Sequence, residues 1–313
     1  MIHVSFCIND TSGNYIRHTA AAIVSIFENT KNEVTIHLVH DETLTVSNRI
    51  LLETMVGKYK QHILFYEVDS AFFSQIAKKI KRVVSLPFSI GTLYRLKIAE
   101  LLNVDQVLYL DSDIIVNEDL TTLWKKDISD YYCAAVLDVK STRKKITNKR
   151  HFKKMGIKPD KYFNAGVILF NLKKIRKELN LFNTSVELLI KYSSDIIFFD
   201  QDVLNRILQK NTLLLPFEFN FIPAAEYAPT SIKQDDLDKQ RYIIHFAGAK
   251  PWNYHSCIYD WLYWKYLSKT PWGDTAEKIV HLQKNLGIDL GYALSVGKIV
   301  SRKMLIKSIL SYF

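Results

Sequence analysis

The chain has 313 residues, of which 48% are hydrophobic and 24% are charged, and its formal net charge is +10. This length and apolar fraction suit one large α/β domain, or two smaller ones, with a full core. No apolar stretch reaches the roughly 18 residues of a transmembrane helix, and the first residues are typical of a strand and not of a signal peptide. Three widely spaced cysteines, Cys7, Cys133 and Cys257, argue for a reducing compartment and against a disulfide framework or a zinc cluster.

The positive charge is concentrated in one segment. Residues 140–161 contain ten Lys or Arg residues and one acid, so this segment alone carries a charge of +9. The rest of the chain is close to neutral and Phe152 is the only Phe, Tyr or Trp in the segment, which argues against a nucleic-acid-binding function. We interpret the segment as a solvated loop, or as a loop that closes over a donor or meets an anionic acceptor.

The first part of the chain alternates strands and helices. Strands are predicted at 2–9, 34–39 and 62–68, and helices at 15–28 and 45–59. This alternation predicts parallel strand pairing. The turn at 10–14 has no G-x-G-x-x-G dinucleotide fingerprint, but the loop after the first strand is still the default nucleotide site.

The middle and end of the chain contain further elements of both types. Helices are predicted at 91–102 and 183–192 and from about Asp200 onward, and strands at 133–139, 162–171 and 242–246. The tail at 292–313 combines apolar residues with Lys and Arg, which predicts a basic amphipathic helix on an anionic membrane surface. A helix packed on the domain, or a dimer contact, is the alternative. We therefore expect a catalytic domain at 1–270 and a helical C-terminal extension at 271–313.

A pair of acids ends the apolar run at 104–116. Asp111 and Asp113 lie where a buried strand should end, and ligands of open α/β sheets bind at the carboxyl ends of strands. Two carboxylates this close repel each other, and a divalent cation removes that cost by taking both as oxygen ligands. A turn or a helix N-cap explains the same residues without any metal.

Four blocks in order resemble the retaining glycosyltransferases of the GT-A fold, a family that includes bacterial lipooligosaccharide galactosyltransferases and glycogenin. They are Leu-Tyr-Leu-Asp-Ser-Asp at 108–113, Tyr-Phe-Asn-Ala-Gly-Val at 162–167, Asp-Gln-Asp at 200–202 and His-Phe-Ala-Gly-Ala-Lys-Pro-Trp at 245–252. The resemblance implies a Rossmann-like, mixed but mostly parallel sheet flanked by helices. It also implies a bacterial enzyme, cytoplasmic or peripheral at the inner face of the membrane, that moves galactose or glucose from a UDP-sugar to a glycan or glycolipid in lipopolysaccharide or capsule biosynthesis.

The resemblance also implies roles for particular residues. Asp111 and Asp113 of the D-x-D motif, with His245, match the ligands of Mn²⁺, with Mg²⁺ as the alternative ion. Residues matched to the binding of the UDP-sugar are Cys7, Asn9, Asp10, Tyr15, Arg95, Ser112, Asn164, Ala165, Gly166, Gly248 and Lys250. Asp138, Asp200 and Gln201 match positions beside the reacting sugar.

The residue at position 201 bears on the mechanism. Retention of configuration needs either a covalent intermediate or attack from the same face, and the amide of Gln201 is a poor nucleophile. We therefore expect same-face attack, with Gln201 steadying positive charge through its carbonyl oxygen and Asp200 as the alternative nucleophile. A catalytically silent nucleotide-sugar-binding module of the same fold is the competing function. A nucleotidyltransferase is disfavoured because residues 10–14 contain no Arg.

Overall fold

The computed structural model describes residues 1–81, 89–138, 147–223, 242–248, 250–253 and 259–273. The strands are β1 (Ile2–Ile8), β2 (Val34–His40), β3 (His62–Glu67), β4 (Gln106–Leu110), β5 (Ile114–Val116), β6 (Cys133–Leu137), β7 (Phe163–Asn171), β8 (Thr212–Leu215) and β9 (Ile243–His245). The helices are α1 (Ile16–Asn29), α2 (Val46–Lys58), α3 (Ser70–Lys81), α4 (Gly91–Tyr94), α5 (Ile98–Leu101), α6 (Thr121–Trp124), α7 (Thr147–Met155), α8 (Leu172–Glu178), α9 (Leu181–Lys191), α10 (Phe199–Leu208) and α11 (Asp260–Leu267).

Seven strands form one mixed sheet in the order β3-β2-β1-β4-β7-β6-β8. Neighbouring strands pair in parallel except at β7, which is antiparallel to both β4 and β6. The predicted mixed, mostly parallel sheet flanked by helices is therefore confirmed, as is the parallel pairing of the first three strands.

The central strands of the sheet are buried on both faces, whereas the edge strands β3 and β8 are partly exposed. Along β1, Val4 and Phe6 belong to a core that includes α1, while Cys7 belongs to the core on the opposite face. Alternate side chains of a strand point to opposite faces, so an almost unbroken apolar strand requires two cores. On α1 the fully buried run of Ala20, Ala21 and Ala22 lets the helix lie close against its neighbours.

A two-stranded sheet joins distant parts of the chain beside the acid pair. Strands β5 and β9 pair antiparallel, with Ile114 opposite His245. The register continues past the strand, because Phe246 donates its backbone N–H to the carbonyl of Asp113 at 2.9 Å. This pairing places His245 beside the acids that follow β4.

Two local predictions differ from the structure. The helix predicted at 91–102 is interrupted by a 3-10 turn at Arg95–Lys97, which separates α4 from α5. The prediction of a solvated loop at 140–161 is wrong for residues 147–155, which form α7. Phe152 and Met155, three residues apart, are buried in the core and anchor this helix despite its charge.

The C-terminal predictions fall largely outside the described residues. The tail at 292–313 lies beyond the last described residue, and the domain boundary at 270 stays a prediction. In the described part of the chain, none of the helices combines the length and the apolar character needed to cross a bilayer.

Candidate active site

The acid pair lies where the chain leaves β4. Asp111 donates its backbone N–H to the carbonyl of Gly166 at 2.9 Å, continuing the ladder between β4 and β7. Ser112 points toward α1, where its hydroxyl accepts a hydrogen bond from Thr19 at 2.9 Å. Residues 112 and 113 form a turn between β4 and β5, and this turn brings Asp111 and Asp113 to one cavity.

His245 completes this cluster. Its Nε2 lies 3.4 Å from an oxygen of Asp113 and 3.8 Å from an oxygen of Asp111. One potential ligand atom from each of the three side chains lies within 4.8 Å of the other two. Carboxylate oxygens with a neutral imidazole suit a divalent ion such as Mn²⁺, so the three predicted ligands meet in one place and fit a metal.

A chain of hydrogen bonds sets the tautomer of His245. The backbone N–H of Gly166 donates to Asn164 Oδ1 at 2.9 Å, which identifies that atom as the amide oxygen. Asn220 Nδ2 donates to the same oxygen at 2.8 Å, so Asn220 turns its own oxygen toward His245 Nδ1, 3.0 Å away. An amide oxygen only accepts. The ring therefore carries its proton on Nδ1 and directs the lone pair of Nε2 at the acids.

Asn220 is a residue of the candidate site that the sequence did not reveal. It is buried at the end of a 3-10 turn, Phe217–Asn220, and Phe221 beside it pairs with Ile244 of β9. Groups that orient a metal-ligating histidine act through a tertiary contact, which no local pattern signals. Its position within an aromatic run at 217–221 was the only available hint.

Gly166 provides the space for the imidazole. A Cβ at this position would lie 2.2 Å from Cε1 and 2.7 Å from Nδ1 of His245. These distances are far inside van der Waals contact, so the ring requires glycine here.

Lys250 also reaches the acid pair. Its Nζ contacts Asp113 Oδ2 and donates to the carbonyl of Phe246 at 3.0 Å. Burial alone would raise the pKa of Asp113, but the adjacent Lys250 ammonium holds that pKa well below its usual range. Asp113 is therefore ionised and ready to bind a cation. Gly248, between His245 and Lys250, is exposed, and its φ of +92° lets the chain turn.

A cavity of about 450 Å³ opens beside the acids. Its lining includes eight of the predicted residues: Cys7, Asn9, Tyr15, Arg95, Asp111, Ser112, Asp113 and Lys250. It also includes Thr11, Ser12, Ser89, Gly91, Thr92 and Tyr109, which were not predicted. Gly91 allows α4 to approach β1, since a Cβ there would lie 3.0 Å from the backbone nitrogen of Asn9.

Asp10 lies behind this cavity and not in its lining. Its carboxylate accepts the backbone N–H of Tyr15 at 2.6 Å, and its own N–H donates to Thr43 at 2.7 Å. Asp10 thus fixes the start of α1 and the position of the Tyr15 backbone. Cys7 is buried, and burial raises the pKa of its thiol, so it is an unreactive wall of the cavity.

Arg95 connects the acid pair to the second acidic motif. Its guanidinium contacts Asp111 at 2.8 Å and Asp200 at 3.0 Å, and donates to the carbonyl of Ala165 at 2.8 Å. The group also stacks over the ring of Tyr109, 4.5 Å from the centroid. Burial raises the pKa of Asp200 to about 6 even though Arg95 opposes the shift.

A second cavity of about 490 Å³ adjoins the first and shares Thr92, Arg95 and Asp111 with it. Its other lining residues are Asn164, Ala165, Gly166, Ile197, Phe198, Phe199, Asp200, Gln201 and His245. Asp138 is in contact with this group, because Gln201 Nε2 donates to its carboxylate at 3.0 Å. The three residues predicted to lie beside the reacting sugar are therefore neighbours.

The backbone is strained where the second acidic motif begins. Phe199 has a φ of +42°, a left-handed conformation that is unfavourable for a bulky residue. Asp200 and Gln201 follow in the first turn of α10 and line the cavity. Asp202 is fully buried away from it and accepts the backbone N–H groups of residues 197 and 198.

A mixed sheet with paired acids and an imidazole at the carboxyl end of its central strand defines a glycosyltransferase of the GT-A fold. Residues 3–256 match the family described as Glycosyl transferase family 8, and the chain belongs to that family.

Similar proteins agree with this assignment. A putative glycosyltransferase of Haemophilus influenzae is 29% identical over 78% of this chain and 71% of its own length. Lipopolysaccharide 1,2-glucosyltransferase of Escherichia coli is 30% identical over 79% of this chain and 74% of its own. Among solved structures, the galactosyltransferase LgtC in complex with donor and acceptor sugar analogues is 26% identical, with a TM-score of 0.69 over 86% of this chain and 96% of that one.

Proposed function

We propose that the protein is a metal-dependent, retaining hexosyltransferase that moves galactose or glucose from a UDP-sugar to a cell-surface glycan or glycolipid. The observation that carries this proposal is the position of the Asp111, Asp113 and His245 cluster. It lies at the junction of two cavities, one lined by the residues expected to hold a nucleoside diphosphate and the other by those expected to hold a sugar.

Asp111, Asp113 and Nε2 of His245 would hold the divalent ion. Such an ion, when bound, stabilises the negative charge that grows on a departing diphosphate. Lys250 and Arg95 add positive charge at the same cavity. The Arg95 guanidinium already bonds Asp111, Asp200 and a backbone carbonyl, so its main effect is to hold the acids in place.

The nucleoside would bind in the first cavity between β1 and α4. Asn9 and Tyr15 face it, while Asp10 acts from behind by fixing the backbone of Tyr15. Asn9 is itself positioned, because its amide donates to the buried carboxylate of Asp41 at 2.6 Å.

The sugar would bind in the second cavity against residues 164–166. We favour same-face attack, because the residue facing this cavity beside Asp138 is an amide and the Asp200 carboxylate is paired with Arg95. The Gln201 carbonyl oxygen would then stabilise positive charge on the sugar ring. Trapping of a glycosyl adduct on Asp200 would contradict this mechanism.

The nature of the acceptor is supported by the relatives. One is described as a lipopolysaccharide glucosyltransferase and another was solved with donor and acceptor sugar analogues. We extend this to a cell-surface acceptor for the present chain, and to a cytoplasmic enzyme that reaches anionic membranes through its basic tail. Sedimentation with phosphatidylglycerol vesicles, compared with neutral vesicles, tests the membrane contact.

The test of the donor reaction is turnover of UDP-galactose and UDP-glucose with Mn²⁺. We expect UDP release by the wild type, its loss in EDTA, and a fall of at least about 100-fold in Asp113→Asn, as expected for the loss of one charged group from a transition state. Asp105→Asn is the matched control, since Asp105 is exposed and pairs with Lys173 and Arg176 away from both cavities. UDP binding without turnover of either sugar would instead indicate the silent binding module.

A further inference from the structure

A buried hydrogen-bond relay leads from Asp202 to Gln201. Tyr162 and Asp202 are both fully buried. The Tyr162 hydroxyl donates to Asp202 Oδ1 at 2.7 Å and accepts from Gln201 Nε2 at 3.1 Å. Neither Tyr162 nor Asp202 lines the sugar cavity; Tyr162 contacts the lining residue Gln201, and Asp202 also holds the backbone of the lining residues Ile197 and Phe198.

The direction of the relay is fixed at its Asp202 end. Asp202 Oδ2 accepts the backbone N–H groups of Ile197 at 2.9 Å and Phe198 at 2.8 Å. A carboxylate only accepts hydrogen bonds, so the Tyr162 proton must point at Asp202. Burial raises the pKa of Tyr162 well above its usual value, which keeps that proton in place. His151 Nε2 lies 3.1 Å from Asp202 Oδ1, the oxygen that also accepts from Tyr162.

The orientation of the Gln201 amide follows from this direction. Because the Tyr162 hydroxyl already donates its proton to Asp202, its oxygen can only accept from Gln201. The NH₂ end of the amide must therefore face Tyr162 and Asp138. The carbonyl end then faces the backbone N–H of Ala165, 3.0 Å from Oε1. Ala165 lines the sugar cavity, so the carbonyl oxygen lies at the cavity wall.

We propose that Tyr162, held by Asp202, is a positioning residue that keeps the Gln201 carbonyl oxygen directed at the donor sugar. The proposal rests on the proposed function, because the orientation matters only if positive charge develops on that sugar. An amide turned by 180° would present its NH₂ group there and would destabilise the same charge.

Two variants test the relay. Tyr162→Phe removes one of the two acceptors for Gln201 Nε2 and leaves Asp138 and the Ala165 N–H to orient the amide. Asp202→Asn keeps an oxygen for the N–H groups of residues 197 and 198, but its NH₂ group faces Tyr162 and reverses the hydroxyl. We expect each variant to lower kcat about tenfold, the equivalent of one hydrogen bond in the transition state, with the donor KM and the Kd for UDP changed less than about twofold.

The double variant distinguishes a relay from general damage to the core. If Asp202 acts through Tyr162, Asp202→Asn lowers kcat no further once Tyr162 is Phe, whereas independent structural effects would multiply. Tyr66→Phe is the matched control, because Tyr66 also bonds a side chain through its hydroxyl, to His37 at 3.0 Å, away from both cavities. Unchanged kcat in both single variants, or multiplied losses in the double variant, would overturn the proposal.

A second readout does not depend on turnover. In protein labelled with ¹⁵N-glutamine, the side-chain NH₂ signal of Gln201, assigned with Gln201→Glu, should exchange slowly in the wild type. It should shift and exchange faster in Tyr162→Phe. A wild type without sugar transfer but with this NMR response would refute the proposed function and retain the relay, whereas an unresponsive signal would refute the relay itself.

Discussion

Gly166→Ala is the substitution that most selectively tests how the three candidate metal ligands are brought together. The added Cβ would lie 2.2 Å from His245 Cε1, 2.7 Å from Nδ1 and 3.0 Å from Nε2, whereas ordinary contact begins at 3.4 Å. The ring must therefore move by about 1 Å, and metal sites tolerate ligand displacements of only about 0.2 Å. We expect binding of Mn²⁺ in the presence of UDP to weaken about 10- to 100-fold, and the free energy of unfolding to fall by about 1–3 kcal/mol.

Free Mn²⁺ in such a titration can be measured directly by electron paramagnetic resonance. Gly57→Ala is the matched control, because Gly57 lies in α2 with no atom within 4 Å of the added Cβ. This control should leave Mn²⁺ binding unchanged and raise stability by up to about 1 kcal/mol. Wild-type Mn²⁺ affinity in a folded Gly166→Ala protein would refute the placement of His245 among the ligands.

Three further predictions follow from contacts around the site and the sheet. Asn220→Ala removes the acceptor of the His245 Nδ1 proton at 3.0 Å, and should weaken Mn²⁺ binding about tenfold or more in the same titration; an unchanged affinity would show that the tautomer needs no such partner. Asp41→Ala leaves Asn9 and Tyr94 without the carboxylate that each contacts at 2.6 Å, and should raise the Kd for UDP about tenfold by calorimetry; the reasoning fails if UDP binds as to wild type. Burial, with the charge of His3, lowers the pKa of His37 from 6.5 to about 4. As the pH falls below about 6.5, His37 is therefore protonated in the unfolded chain but not in the folded one, and the folded state loses stability. Urea unfolding measures the free energy of unfolding that is lost between pH 7 and pH 4.5. This loss should be smaller by up to about 2 kcal/mol in His37→Phe than in wild type, and equal losses would contradict the assignment.

The parts of the fold that sequence could predict are those set by local patterns. The apolar run before Asp111 and its polar end locate β4 and the acid pair, because burial and termination of a strand are local properties. The direction of β7 was not predictable in this way, since Phe163–Asn171 is buried except at its last residue and an apolar strand has the same pattern in either direction. The helix at 147–155 was missed because its charges hide two core residues, Phe152 and Met155.

The candidate site shows the same division. His245 came from the resemblance to a family, since a lone histidine carries no local signal, and the pairing of β5 with β9 then places it at the acids. Asn220 and Tyr162 act through side chains that meet only in the folded chain. Arg95, predicted as a UDP-sugar contact, is also the buried link between Asp111 and Asp200, which spacing alone does not reveal.

The most direct test of the central claim is a crystal structure with Mn²⁺ and UDP, in which the ion is located by its anomalous scattering. A single strong peak is predicted between the carboxylates of Asp111 and Asp113 and Nε2 of His245, with UDP extending into the cavity beside Asn9 and Tyr15. A peak elsewhere, or bound UDP with no ion at these three side chains, would contradict the account.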